Sequence, residues 1–231
     1  MKKLKKILID FFKKGALLLM DWGLGPFLKT YSWLSKKTGR LKVIGSFPKG
    51  GRLLIVGNHE TFGEPPEVLM EVWFSDPINF TNPIQYFPWI MQAEDNFLKY
   101  FFFLRAHIAI WVDRTETTSR AIALRKAKRI LDAGGNIILF PGGMRDYHTK
   151  SLGELFNGAA WLVIHCQDVK VVPFGTKGYA NFMPNDRFPF PRFWAKREIK
   201  VGEPLKFSPS ASVEEITREI SKAILEQKNK G

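Results

Sequence analysis

The chain has 231 residues, 45% hydrophobic and 14% aromatic, and a formal net charge of +13. That is enough for one substantial core with an appendage, and it is too apolar for a disordered chain. A single cysteine, Cys166, excludes an internal disulfide and fits a reducing compartment; it lies in an apolar helical pattern, which favours core packing over reactivity, and no metal is implied.

The charge is unevenly placed. Residues 1–52 hold 13 Lys and Arg against Asp10 and Asp21, a net +11 of the total +13. A basic surface spread along the fold would suggest nucleic acid; this distribution does not, and no nucleic-acid partner is expected. On a helical wheel Leu4, Ile7, Leu8, Phe11, Phe12, Gly15, Leu18, Leu19 and Trp22 share one face, with Lys2, Lys3, Lys6, Lys13 and Lys14 opposite. The apolar run Ala16 to Met20 is too short to span a bilayer or to form a signal-peptide core. The expectation is a basic amphipathic helix lying among lipid headgroups, with packing on its own domain as the alternative.

Gly23 and Gly25-Pro26 break that helix, and Phe27 to Lys37 reads as a second, so residues 1–37 form an expected helical hairpin ahead of a domain over 38–231. Thr38-Gly39 closes the hairpin. Leu41 to Ile44 begins the sheet, and Leu53 to Val56 is a short buried strand ended by Gly57. Pro65 and Pro66 suit the first positions of a helix capped by Glu64 and running through Glu67 to Phe74. The proline-punctuated, aromatic stretch beyond it is expected to be irregular, with a strand at Trp89 to Gln92; its aromatics line an apolar channel or belong to the core. Asn96 to Arg105 reads as a helix and His107 to Val112 as a strand ending in Asp113-Arg114. Thr117 to Ala133 is a long helix stopped by Gly134-Gly135. Asn136 to Phe140 is a buried strand leading into Pro141 to Asp146. Leu152 to Gln167 is expected to be helical, Val169 to Phe174 and Glu198 to Phe207 to be strands, and Ser212 to Gln227 a closing amphipathic helix.

Strands alternating with helices predict an α/β fold, a largely parallel central sheet flanked by helices with the N-terminal hairpin attached. In such sheets ligands sit at the carboxyl ends of strands. Three such ends are polar: Asn58-His59, Asp113-Arg114, and Gly142 to Arg145. His59 and Glu64, five apart, would face each other across the strand-to-helix loop, so the carboxylate could fix the imidazole tautomer and stabilise the imidazolium. With 4 histidines and 22 acids in the chain, about 0.4 such pairs arise by chance. The pair alone is therefore also compatible with an ordinary hydrogen-bonded loop histidine.

These strand ends, taken in order, resemble the PlsC-like glycerolipid acyltransferases. NHETFGE is similar to the first family block, an HX4E variant of Asn-His, four residues and an acid. AIWVDR resembles the second, FPGGMR stands in place of the third, usually Phe-Pro-Glu-Gly-Thr-Arg, and VVPF resembles the fourth. KVGEPLKF is also family-like, so the resemblance runs from about Leu41 to Phe207.

The resemblance implies acyl transfer from a thioester, acyl-CoA or acyl carrier protein, to a lipid hydroxyl, with no further cofactor. His59 would take the hydroxyl proton and Glu64 orient it. Asn58, Arg114, Gly142, Gly143 and Arg145 are the implied substrate-binding residues, the arginines because a guanidinium matches phosphate with two parallel bonds. Amides at Gly142-Gly143 could line an anion or oxyanion site. The first-choice acceptor is 1-acylglycerol 3-phosphate, giving phosphatidic acid in phospholipid biosynthesis, on a peripheral or monotopic protein at the cytoplasmic face. Gly142 replaces the usual Glu and Met144 the usual Thr, which resembles acyltransferases of neutral alcohols or diacylglycerol, so a neutral alcohol, diacylglycerol or glycolipid acceptor is the alternative. A hydrolase, with water in place of the acceptor, and a noncatalytic membrane- or nucleic-acid-binding protein are the other readings.

Overall fold

A computed structural model describes residues 25–61, 63–75, 88–93, 109–113, 115–143, 152, 155–166, 168–184 and 191–229. The expected amphipathic helix before residue 25, the helix at Asn96 to Arg105, Arg114 and Arg145 lie outside the described residues.

Helix α1 (Gly25–Lys37) ends at Gly39, whose φ of 67° the absent side chain permits. Strand β1 (Leu41–Ile44) follows, then β2 (Leu53–Gly57), α2 (Glu64–Ser75), β3 (Pro88–Ala93) and β4 (Ala109–Val112). Next come α3 (Thr117–Asp132), β5 (Asn136–Leu139), α4 (Gly158–His165), β6 (Lys170–Lys177) and a single-turn α5 (Tyr179–Phe182). Strand β7 (Arg197–Val201) and α6 (Val213–Asn229) complete the described chain.

The described strands form one sheet in the order β1-β7-β6-β2-β5-β3-β4. From β6 to β4 every pairing is parallel; β7 runs antiparallel to β6, and β1 is parallel to β7. The expected largely parallel α/β sheet is therefore present, with a reversed pair at one edge. Central β2 is buried along its whole length, because helices cover both of its faces. Leu53 and Ile55 pack with Val68, Val72 and Trp73 of α2, whereas Leu54 and Val56 pack with Ala127, Leu131, Ala160 and Ile220 on the other side. The apolar run thus divides by the two-residue period of a strand.

Two elements fall well short of their expected bounds. The helix expected from Leu152 begins at Gly158, because the Phe156 amide donates to Pro141 O at 2.9 Å and ties this stretch to the loop after β5. The strand expected from Glu198 to Phe207 ends at Val201; beyond Gly202 and Pro204 only Leu205 rejoins the sheet, through an isolated antiparallel bridge to Val171. The closing helix carries a capping box, with Ser212 N donating to Glu215 Oε2 and Glu215 N to Ser212 Oγ. Among the described residues no helix is long and apolar enough to cross a membrane.

Candidate active site

Gly57 ends β2 against the ring of Phe174; a Cβ there would come within 2.2 Å of the ring, so only glycine lets the chain turn at this point. Asn58 follows, and its side chain copies a strand's hydrogen bonding: Oδ1 accepts the Thr176 amide at 2.7 Å and Nδ2 donates to Thr176 O at 3.2 Å. The side chain clamps the end of β2 to β6. Asn58, one of the implied substrate-binding residues, is buried with both ends of its amide engaged.

His59 is then presented at the carboxyl edge of the parallel block. Its Nδ1 lies 2.6 Å from Glu64 Oε1. Glu64 is fully buried, where a carboxylate is tolerated only if its lone pairs are satisfied. The Thr61 amide donates to both of its oxygens at 2.9 and 2.8 Å, and Thr61 Oγ1 donates to Oε2 at 3.1 Å. Thr61 Oγ1 also accepts the Gly63 amide at 3.0 Å. The amide and hydroxyl of Thr61 pin the carboxylate of Glu64, the first residue of α2. The acid facing the imidazole is thus fixed by the start of a helix. With Nδ1–H donated to Glu64, Nε2 is the basic atom.

The imidazole lies against Phe140, ring centroids 4.6 Å apart, and Phe140 meets Phe174 edge-on at 5.9 Å. An aromatic face favours a cation above it, so this floor suits an imidazole that becomes imidazolium. Phe140 opens the turn after β5, so the strand ends bearing NHETFGE and FPGG are neighbours. Within that turn the Gly143 amide donates to Phe140 O at 3.0 Å, and Gly143, with φ of 63°, lies under the Phe156 ring. Of the two amides expected to line an anion site, that of Gly143 is therefore employed in shaping the turn. The β4 end stands three strand spacings from β2, roughly 14 Å. There the Asp113 carboxylate accepts the amide and hydroxyl of Thr115, bonds that hold its carboxyl below the usual range.

Two further residues tie the loop down. Glu60, buried, accepts the Tyr179 amide at 2.8 Å and the Ala180 amide at 3.3 Å, closing the first turn of α5. Burial, reinforced by the nearby Glu64 carboxylate, pushes its carboxyl up to about 7. Glu67, one turn into α2, accepts the hydroxyls of Tyr31 and Tyr179, both at 2.7 Å, and pairs with the buried guanidinium of Arg197. The Thr-x-x-Glu spacing could have revealed Thr61 in the sequence. Glu60 and Glu67 carry no comparable local signal, since the partners of Glu60 lie over a hundred residues away and those of Glu67 between 36 and 130.

A family model described as Acyltransferase matches residues 40–177, more than half of the chain. The chain belongs to the acyltransferase family. A search of curated proteins gives no match. Among solved structures this acyltransferase is similar to the 1-acyl-sn-glycerophosphate (LPA) acyltransferase, PlsC, from Thermotoga maritima, with 19% identity and a TM-score of 0.61 over 97% of this chain and 95% of that one. At that identity the likeness concerns the fold. The expected PlsC-like α/β architecture and the acyltransferase class both stand.

Proposed function

We propose that this acyltransferase moves a fatty acyl group from an acyl thioester, on coenzyme A or acyl carrier protein, to the free hydroxyl of 1-acylglycerol 3-phosphate, forming phosphatidic acid. The observation that carries the reading is the 2.6 Å contact between His59 Nδ1 and the buried, amide-pinned carboxylate of Glu64. A lipid hydroxyl is a poor nucleophile until a base removes its proton as it attacks. His59 Nε2 takes that proton while the oxygen bonds to the thioester carbonyl carbon. Glu64 stabilises the imidazolium, the tetrahedral adduct collapses with loss of the thiolate, and the proton leaves His59 for the sulfur. Gly142 and the turn after β5 border the reacting carbonyl. Arg114 and Arg145 hold the acceptor phosphate.

The protein works from the cytoplasmic membrane surface, where its lipid acceptor resides, held by the basic, apolar segment 1–37 as a peripheral or monotopic protein. The family resemblance and the one-sided charge of the sequence support this placement.

One observation favours a second acceptor class. Gly142 in FPGGMR stands where relatives of the lysophosphatidate type carry Glu, and a neutral alcohol or diacylglycerol would need no phosphate site. The experiment is a comparison of lysophosphatidate, monoacylglycerol and diacylglycerol at one fixed thioester donor. The first reading expects preference for lysophosphatidate and a loss of one to two decades for Arg145→Ala on that acceptor alone, since a charge-assisted bond contributes roughly 1.5 to 3 kcal/mol. Preference for a neutral lipid would replace it with the second.

A further inference from the structure

Helix α1 turns Ser32 and Ser35 inward and leaves large apolar side chains outside. Phe27 is 69% exposed and Leu34 51%, and Tyr31 lies between them on the same stripe, four residues after Phe27 and three before Leu34. The short stretch ahead of β7 meets this stripe from a distant part of the chain. The Phe193 ring packs edge-on against Tyr31 at 6.0 Å, and Arg40 Nη1 donates to Phe193 O at 3.4 Å. Phe193 is itself half exposed and its neighbour Trp194 is 66% exposed, so Trp194 stands at the tip.

The two segments that carry these side chains bear charge of one sign, and Lys36 is paired with Glu71 of α2 on the inner side. Residues 25–40 and 191–196 contain Lys29, Lys36, Lys37, Arg40, Arg192 and Lys196 and no Asp or Glu. A second copy of this chain would bring like charges together, which opposes self-association through the patch. An apolar tip on two segments that carry cations and no acid instead matches an anionic lipid surface, where indole and phenyl rings settle at the headgroup level and Lys and Arg meet phosphate.

We propose that the Phe193-Trp194 stretch is a second lipid-contacting element, seated beside α1 on the headgroup region of an anionic bilayer. The inference rests on the membrane-surface reading above and assigns the contact to residues distant in sequence from segment 1–37 but packed against its α1. Two contacts separated in sequence fix the orientation of the molecule: the β1-β7 edge of the sheet faces the bilayer. The β4 edge points away.

The test uses the full chain and vesicles with roughly one third anionic phosphatidylglycerol. Trp194→Cys is labelled with a polarity-sensitive fluorophore, with the parent treated with the same reagent as the control for the buried Cys166. The expected results are a blue shift of the fluorophore on adding vesicles and an approximately tenfold weaker partitioning of Trp194→Ser, the effect of withdrawing roughly 60 Å² of ring from lipid. Ile122→Ser, another exposed apolar site, on α3 at the other sheet edge, should partition as wild type. Wild-type protein that fails to sediment overturns the membrane reading and this proposal with it. Wild-type protein that sediments, with a silent fluorophore and a normally partitioning Trp194→Ser, overturns this proposal alone. A fluorophore already blue-shifted before vesicles are added shows the patch covered by another part of the chain or a second copy, and also overturns it.

Discussion

Glu60 lies between His59 and Thr61 in the loop after β2, buried, with its carboxyl pushed up to about 7 by desolvation and by Glu64. Its folded value lies above the ordinary 4.5, so the folded state holds a proton that the unfolded chain releases first. The contribution to stability is therefore intact below pH 4.5 and lost as pH rises toward 7, by about 3 kcal/mol in total. Glu60→Gln keeps an acceptor for the Tyr179 and Ala180 amides and removes the ionisation. We expect its unfolding free energy to be nearly flat across that window and to exceed wild type at pH 8, as read from urea melts at several pH values. A wild-type slope that persists in the variant would place the titrating group elsewhere. At this scale His59, Glu64 and the glycine before Asn58 were legible, because a strand end, a histidine and a capping acid are all local signals. The engagement of Asn58 with Thr176 was not, since it depends on which strand lies beside β2.

Helix α1 is joined to α2 by polar groups rather than by an apolar seam. Tyr31 donates to Glu67, Ser32 to Glu71 and Lys36 to Glu71, while Arg197 from β7 pairs with Glu67 and bonds the Tyr31 hydroxyl. Arg197 also lies over the Phe182 ring at 4.1 Å. Removing one partner of such a buried pair strands the other charge, so Arg197→Met should cost about 3 to 5 kcal/mol, checked by denaturant unfolding. Replacing Glu67 by Leu in the same chain should recover part of that loss; a double variant no better than Arg197→Met would show that the pair is not coupled. Central strands were readable as apolar runs bounded by glycine. The start of α4 was not: Leu152, Leu155 and Phe156 continue a helical pattern, but the bond from Phe156 to Pro141 prevails over it. The reversal of β7 left no mark in composition or spacing, because strand direction is decided by the connection that precedes it.

The sheet places the NHETFGE and FPGG strand ends side by side, and its far edge carries α1 with the Phe193-Trp194 stretch. Chain truncation separates lipid contact from folding. Deleting residues 1–24 removes lysines and apolar surface but spares Tyr31 and Ser32, so weaker sedimentation with anionic vesicles and an unchanged unfolding midpoint are expected. Deleting residues 1–37 should in addition destabilise the core by about 1 to 3 kcal/mol for each donor lost from Glu67 and Glu71. Equal stability of the two truncations would show that α1 contributes nothing to the fold. The general layout was legible because four short blocks follow in order along the chain; the contact of the Phe193-Trp194 stretch with the chain after α1 was not, since 153 residues separate Arg40 from Phe193.

The most direct measurement is the specificity constant for acyl transfer from a thioester to lysophosphatidate by wild type, His59→Ala and Glu64→Gln, each shown to be folded by circular dichroism. A general base at His59 predicts a loss of about two to four decades for His59→Ala. It predicts a smaller loss for Glu64→Gln, which keeps the shape of the partner and removes its charge. His59→Ala protein that is folded and transfers acyl groups at close to the wild-type rate would contradict the assignment of the reaction to this pair.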